Sequence, residues 1–163
     1  MGTGWVKWIG VRPERKGPLS PLEEVLAVAG AGLCGDHYRS SGGKRQLTLI
    51  REEDLAAAAA DLGRASVDPL LTRRNLVVQG LPSGLSNGTV LQLGEIMLEI
   101  SGPCHPCSRM EENLGSGGLK ALAGRGGLTA RILRGGRIRI GDPIRLAGEG
   151  APRTANLGPA LDV

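Results

Sequence analysis

Short apolar runs divided by glycine dominate this sequence. Its 27 glycines are spread along the chain rather than gathered into a linker. Glycine takes positive φ at little cost, so a chain punctuated in this way turns every few residues and leaves little room for long helices. The pattern predicts a mostly β fold: a closed or strongly curved, barrel-like antiparallel sheet with a few peripheral helices, rather than a doubly wound parallel sheet. With 163 residues the chain is long enough to bury a core of its own. One domain is expected over residues 1–147, and a flexible tail without periodicity over 148–163.

Trp5 to Val11 reads as a first strand, with Trp5, Ile9 and Val11, and as an alternative Val6, available to the core. Ser20-Pro21-Leu22-Glu23 carries a helix-start signal, predicting a helix through Val25, Leu26 and Val28 that stops at the glycines from Gly30. Arg45 to Ile50 alternates apolar and polar residues, as a half-buried strand would. Glu52 to Leu62, acidic in its first turn and rich in alanine, is a helix. Leu76 to Gln79 is a strand, and Val90 to Leu93 with Ile96 to Ile100 form a hairpin about Gly94-Glu95. The paired glycines Gly135-Gly136 predict a second hairpin, joining Leu128–Leu133 to Arg137–Ile140. Gly141-Asp142 turns the chain into Pro143 to Leu146.

Composition narrows the function. Phe is absent and Trp5, Trp8 and Tyr38 are the only aromatic residues, which argues against a base-stacking platform for nucleic acid. Arg131, Arg134, Arg137, Arg139 and Arg145 crowd the last third, either as a solvated strand face or as a basic wall for an anionic small molecule. Three cysteines is an odd number, residues 1–13 lack the character of a secretory leader, and no apolar run approaches a membrane span. A cytoplasmic protein with free or ligating thiols is therefore expected, with no membrane partner.

The chemistry concentrates in Ser101-Gly102-Pro103-Cys104-His105-Pro106-Cys107-Ser108-Arg109-Met110. Three readings fit it. Cys34-x-x-His37 with Cys104-x-x-Cys107 makes a complete tetrahedral zinc set, as in a structural module. Cys104-His105-Pro106-Cys107 between a strand and a helix suits thiol–disulfide exchange. A single thiolate at Cys107 suits a soft metal centre or a persulfide. The last needs phosphate and ring partners elsewhere, for which Arg73, Arg74 and Asn75 offer guanidinium and amide groups, with Lys44 and Arg45 as a second cationic pair. Against each stands a plainer role, with Cys34 a small buried apolar residue and Arg73 and Arg74 surface charges.

Six segments in order resemble the stand-alone bacterial MOSC domain, named after the C-terminal region of molybdenum cofactor sulfurase. They are Gly32-Leu33-Cys34-Gly35-Asp36-His37-Tyr38, Arg45-Gln46-Leu47-Thr48-Leu49-Ile50, Arg73-Arg74-Asn75-Leu76-Val77-Val78, Pro103-Cys104-His105-Pro106-Cys107-Ser108-Arg109-Met110, Gly124-Arg125-Gly126-Gly127-Leu128 and Gly136-Arg137-Ile138-Arg139-Ile140-Gly141-Asp142. The resemblance implies a barrel-like fold and a thiolate, at Cys107, that binds the molybdenum of the pyranopterin cofactor or carries sulfur to it. It implies cofactor contacts from Arg73 and Asn75, with Lys44 and Arg45 as further candidates and Cys104, His105 and His37 as auxiliaries. The amidoxime-reducing branch has Ser-Arg before the ligand cysteine where this chain has His105-Pro106; the missing charge would then come from Lys44, Arg45 or Arg125. Reduction of N-hydroxylated compounds would need an electron-donor protein, and sulfur carriage a separate cysteine desulfurase, since no domain for pyridoxal phosphate is present.

Overall fold

A computed structural model describes residues 3–14, 17–37, 42–106 and 108–147. Cys107 and the expected tail, 148–163, lie outside the described residues.

Eleven strands and three α-helices make up the described chain. In chain order they are β1 (Gly4–Val11), β2 (Ser20–Leu22), β3 (Glu24–Val28), β4 (Gly32–Leu33), β5 (Leu47–Arg51), α1 (Glu52–Asp61), β6 (Leu76–Gln79), β7 (Val90–Leu93), β8 (Ile96–Pro103), α2 (Ser108–Leu114), α3 (Gly118–Ala121), β9 (Leu128–Arg134), β10 (Gly136–Arg139) and β11 (Pro143–Leu146). A 3-10 turn, Pro69–Leu71, precedes β6. The main sheet runs β11-β7-β8-β9-β5-β6-β1-β2, and β11 also pairs with β1, so seven strands close into a barrel with β2 attached outside. Every pairing in it is antiparallel except β5 with β6. This is the expected architecture, with its edges removed by closure.

Alternation along the strands fills the barrel with Val6, Ile9, Leu47, Leu49, Leu76, Val78, Leu98 and Ile132, among others. A second apolar layer lies between the outside of β5 and β6 and the helices: Ile50 and Val77 pack with Leu55, Ala58, Met110, Leu114 and Leu122. Strand β5 is therefore covered on both faces. Leu47 and Leu49 face the barrel, yet Gln46 and Thr48 are buried too, which corrects the half-exposed strand the alternation suggested. Their polar atoms are paired: Gln46 Oε1 accepts the Ile132 N–H at 2.7 Å, and Thr48 bonds to Asn75. A polar residue on the outer face tells little of exposure when a helix covers that face.

Three expectations need correction. Residues 20–28 form β2 and β3 rather than a helix. Val25 and Ala27 are buried while Leu26 is 42 % exposed, a period of two that the capping signal masked. Strand β10 supplies the partner, with Val25 opposite Ile138 and Leu26 opposite Arg137. It follows that β9 and β10 are not a hairpin: β9 pairs with β5 and β8, and β10 joins β3 and β4 in a separate three-stranded arm. A Cβ on Gly135 would lie 2.7 Å from the Ala27 carbonyl oxygen, so the glycine pair lets the chain cross closely against β3. Trp5 is 46 % exposed; Val6 takes the inward position, and the bulge between Val6 and Trp8 shifts the register beyond it. Helix α1, strands β5, β6 and β11 and the β7–β8 hairpin form where the sequence places them, whereas the short β4 was not expected.

The clustered arginines of the last third divide. Arg137 and Arg139 pair with Glu24 at 2.6 and 3.5 Å, and Arg131 lies 3.8 Å from Glu99. These are solvated strand-face pairs of small net worth.

Candidate functional site: an arginine cleft beside the cysteine loop

Two depressions that share Arg12 and Arg73 adjoin the end of β1. One, lined by Arg12, Asp36, Arg45, Thr48, Arg73 and Asn75 among others, is filled by its own side chains and has no room for a water-sized molecule. The other, about 340 Å³, is lined by Arg12, Leu70, Leu71, Arg73, Arg109 and Asn113, among others. Among the described residues their linings carry four arginines, Arg12, Arg45, Arg73 and Arg109, and one carboxylate, Asp36, and that carboxylate is engaged. Asp36 Oδ1 accepts the Arg12 backbone N–H at 2.8 Å and faces Asn75 Nδ2 at 3.5 Å. A lining with more arginine than carboxylate makes a positive environment that suits a phosphate or similar anion.

Arg73 reaches the cleft through an unusual backbone. Its φ of 63° makes it the one non-glycine residue with positive φ among the described residues. A side chain in this region costs about 1 kcal/mol and persists where the surroundings enforce it. The surroundings here are Thr72, wholly buried, whose hydroxyl donates to the Pro69 carbonyl at 2.8 Å and accepts the Arg74 N–H at 3.3 Å. Arg74, offered by the sequence as a phosphate ligand, turns inward. Its Nε donates to the Gly126 carbonyl at 2.6 Å and its Nη2 to the carbonyls of Cys104 and His105, both at 3.3 Å.

The cysteine loop leaves the end of β8. Cys104 is buried, with its N–H donated to the Gly127 carbonyl at 2.8 Å. Only glycine fits beside it: a Cβ on Gly126 would lie 2.2 Å from the Cys104 carbonyl oxygen and 2.8 Å from Pro106 Cδ. The side chain of His105 is exposed, and α2 follows the loop, bringing Arg109 to the cleft.

The sequence-predicted residues thus separate. Arg45 and Arg73 line one depression with Arg12, and Arg73 and Arg12 line the other with Arg109; the sequence did not single out Arg12 and Arg109 as ligands. Arg12 follows directly on the last residue of β1 and Arg109 stands two positions past Cys107; each position was legible, but not their convergence. Lys44 is exposed and lines neither depression. Asn75 lines the cleft with its side chain committed to Thr48, Gly10 and Asp36. His37 packs its ring against the Arg12 carbonyl, with Nδ1 at 3.3 Å, and Cys34 is half-buried with its N–H donated to Leu26. Among the described residues no group of three His, Cys, Asp or Glu side chains is placed to hold a metal ion, so Cys34, His37 and Cys104 do not form three corners of a zinc site.

Arg125 faces elsewhere. It pairs with Asp61 at 2.6 Å and lines a second cleft with Leu49, Arg51, Asp54, Pro103 and Leu128. Burial pushes the Asp54 carboxyl above its ordinary value, and Arg51 and Arg125 partly restore it. Pro103, at the end of β8, lines this cleft, and Arg109, in α2, lines the arginine one.

The MOSC domain family model matches residues 15–145, most of the chain. The chain belongs to the MOSC domain family. Its barrel is similar to three solved structures. YUAD protein from Bacillus subtilis matches with a TM-score of 0.76 at 18% identity, over 88% of this chain and 94% of that one. YiiM from Geobacillus stearothermophilus matches at 0.71 and 20%, over 93% and 78%, and YiiM from Escherichia coli at 0.65 and 20%, over 92% and 73%. At such identities the likeness is one of fold. No curated protein matches the sequence. Among the described residues, no helix of this MOSC domain is long and apolar enough to cross a membrane.

Proposed function

We propose that this chain binds molybdenum cofactor, with the phosphate-bearing end in the arginine cleft and the thiolate of Cys107 as the protein's sulfur ligand. The observation that supports the reading is that Arg12, Arg45, Arg73 and Arg109 line two depressions that share Arg12 and Arg73 and in which, among the described residues, Asp36 is the only carboxylate and is already engaged. A donor set of this composition fits a dianionic phosphate and has little use for a neutral ligand. Family membership supplies the group; the cleft supplies a place for its charge.

In this reading Arg73 and Arg109 bind the phosphate in the roomier depression, and Arg12 and Arg45 complete the positive field. Asn75 acts through the backbone: by holding Thr48 and Gly10 it keeps the ends of β1, β5 and β6 in register behind the arginines. The side chain of His105 is exposed and lines neither depression, so it is given no role in holding the phosphate. The bound cofactor would supply two-electron redox chemistry at molybdenum, and the residues named bind it and orient it. Reduction of N-hydroxylated compounds is one use of the site and would take electrons from a partner redox protein. The other is sulfur carriage, in which the Cys107 thiolate accepts the terminal sulfur of a desulfurase persulfide and the donor cysteine leaves as a thiolate.

Anaerobic loading with the isolated cofactor, followed by metal analysis, tests the binding. The parent should retain about one molybdenum per chain, with Cys107→Ser nearly empty and Arg73→Gln and Arg109→Gln weakened. Equal molybdenum in the parent and in Cys107→Ser would sink the thiolate ligand. Two further arms separate the uses: a one-sulfur mass gain on Cys107 after incubation with a cysteine desulfurase supports carriage, and reduction of a hydroxylamino compound by the loaded protein supports the reductase.

A further inference from the structure

Arg74 is 3 % exposed, and its guanidinium is spread over three separate segments of chain. Nε donates to the Gly126 carbonyl at 2.6 Å, Nη1 to Thr72 at 3.2 Å, and Nη2 to Cys104 and His105 at 3.3 Å each. Taking a guanidinium out of water costs several kcal/mol unless its donors are satisfied. A rigid five-donor fork is suited to gather four carbonyls at once, one more than the three donors of a lysine ammonium can serve, and an apolar side chain can serve none. The three segments gathered are the turn that holds Arg73 at positive φ, the cysteine loop, and the glycine segment packed against that loop.

Among the described residues of that loop, Cys104 donates its N–H to Gly127, and the close approach of Gly126 sets the two backbones directly against each other. We propose that Arg74 is the positioning residue of this site: its buried guanidinium fixes the cysteine loop from within, shields Cys104, and keeps that loop in register with the Arg73 turn. Arg74 binds no ligand itself. It sets the distance between the arm of the site that holds charge and the loop that carries the thiols. The term positioning rests on the cofactor-binding reading above; the clamp itself does not.

The test measures alkylation of each cysteine separately, under native conditions, by peptide mass spectrometry with iodoacetamide. Cys34, half-buried beside the three-stranded arm, is the internal control. In Arg74→Ala, Cys104 should react about tenfold faster relative to Cys34, the change expected when a charge-assisted clamp on the loop is lost. Arg74→Lys, which restores charge but not the fork, should fall between, and millimolar methylguanidinium should return Arg74→Ala toward the parent without affecting the parent. Equal acceleration of Cys104 and Cys34, or no acceleration of Cys104 in either variant, would overturn the clamp. Molybdenum retention after loading should decline in the order parent, Arg74→Lys, Arg74→Ala; undiminished retention in Arg74→Ala would overturn the positioning role even with Cys104 unshielded. A parent that takes up no molybdenum would instead defeat the proposed function and leave the alkylation result standing.

Discussion

Asn75 and Thr48 hold each other from both sides of the β5–β6 pairing. The Asn75 Oδ1 accepts the Thr48 N–H at 2.9 Å and its hydroxyl at 3.2 Å, while the Asn75 N–H donates to Thr48 Oγ1 at 3.0 Å. The Asn75 Nδ2 goes on to the Gly10 carbonyl at 3.0 Å, so one side chain ties β1, β5 and β6 together just below the arginine cleft. Removing it leaves a buried N–H and a buried carbonyl without their partner. Asn75→Ala should therefore lose about 2–4 kcal/mol, which for a domain of this size lowers Tm by roughly 5–12 °C. Thermal unfolding checks this, and a Tm within a degree or so of the parent would show that Asn75 is not the tie described.

The approach of the glycine segment to the cysteine loop predicts a sharp position dependence. A methyl group on Gly126 would sit 2.2 Å from a backbone oxygen that Arg74 already holds, and neither neighbour can yield without moving the loop. Gly126→Ala should cost on the order of 2–3 kcal/mol or more. Two residues earlier, Gly124 has φ 74° with nothing within 4 Å of its would-be Cβ. Gly124→Ala should cost only the left-handed penalty of about 1 kcal/mol. Urea unfolding of the two variants checks the contrast, and equal losses would refute the close-approach account.

Glu111 predicts an acid limb in the stability profile. Its carboxylate accepts the N–H groups of Leu119 and Gly117, both at 2.9 Å, across the junction of α2 and α3. Those bonds hold its pKa below the ordinary 4.5, the Leu119 bond contributing most. A carboxyl whose folded pKa is lowered contributes stability above its unfolded value and loses it as pH falls through the folded one. Urea titrations from about pH 6 down to pH 3 should show the parent losing its advantage over Glu111→Gln as the carboxylate protonates. A constant gap over that range would count against this assignment.

The architecture was legible because turns are written in residue types. Glycine, proline and alternation placed β6, the β7–β8 hairpin and β11, and a closed mostly antiparallel sheet follows from many short strands. Partner choice was less legible. Gly135-Gly136 carries the signature of a tight turn, but a crossing against β3 needs the same absence of Cβ. Ser20 to Glu23 spells a helix start, and only the strand available at 136–139 turns residues 24–28 into a pleat. In the site, Arg45 and Arg73 could be named from sequence because charge before a strand is visible there. The inward turn of Arg74 could not, because one residue of register decides whether a guanidinium meets solvent or four carbonyls.

Arg73 itself yields the last prediction, because its backbone and its charge pull in opposite directions. At φ 63° glycine is the residue with least strain, so Arg73→Gly should relieve the conformational cost and gain up to about 1 kcal/mol, after the greater unfolded-state freedom of glycine is allowed for. Arg73→Ala keeps the strain and should gain nothing. Both remove the guanidinium from the cleft, so both should weaken binding of inorganic phosphate by a similar factor, about fivefold or more for one charge-assisted contact. Paired calorimetric titrations and unfolding curves separate the two effects. A site that keeps a strained arginine where glycine would be more stable is spending folding energy on the position of a charge. If Arg73→Gly is instead less stable than Arg73→Ala, the strain is not there. If both variants bind phosphate as the parent does, Arg73 is no part of an anion site.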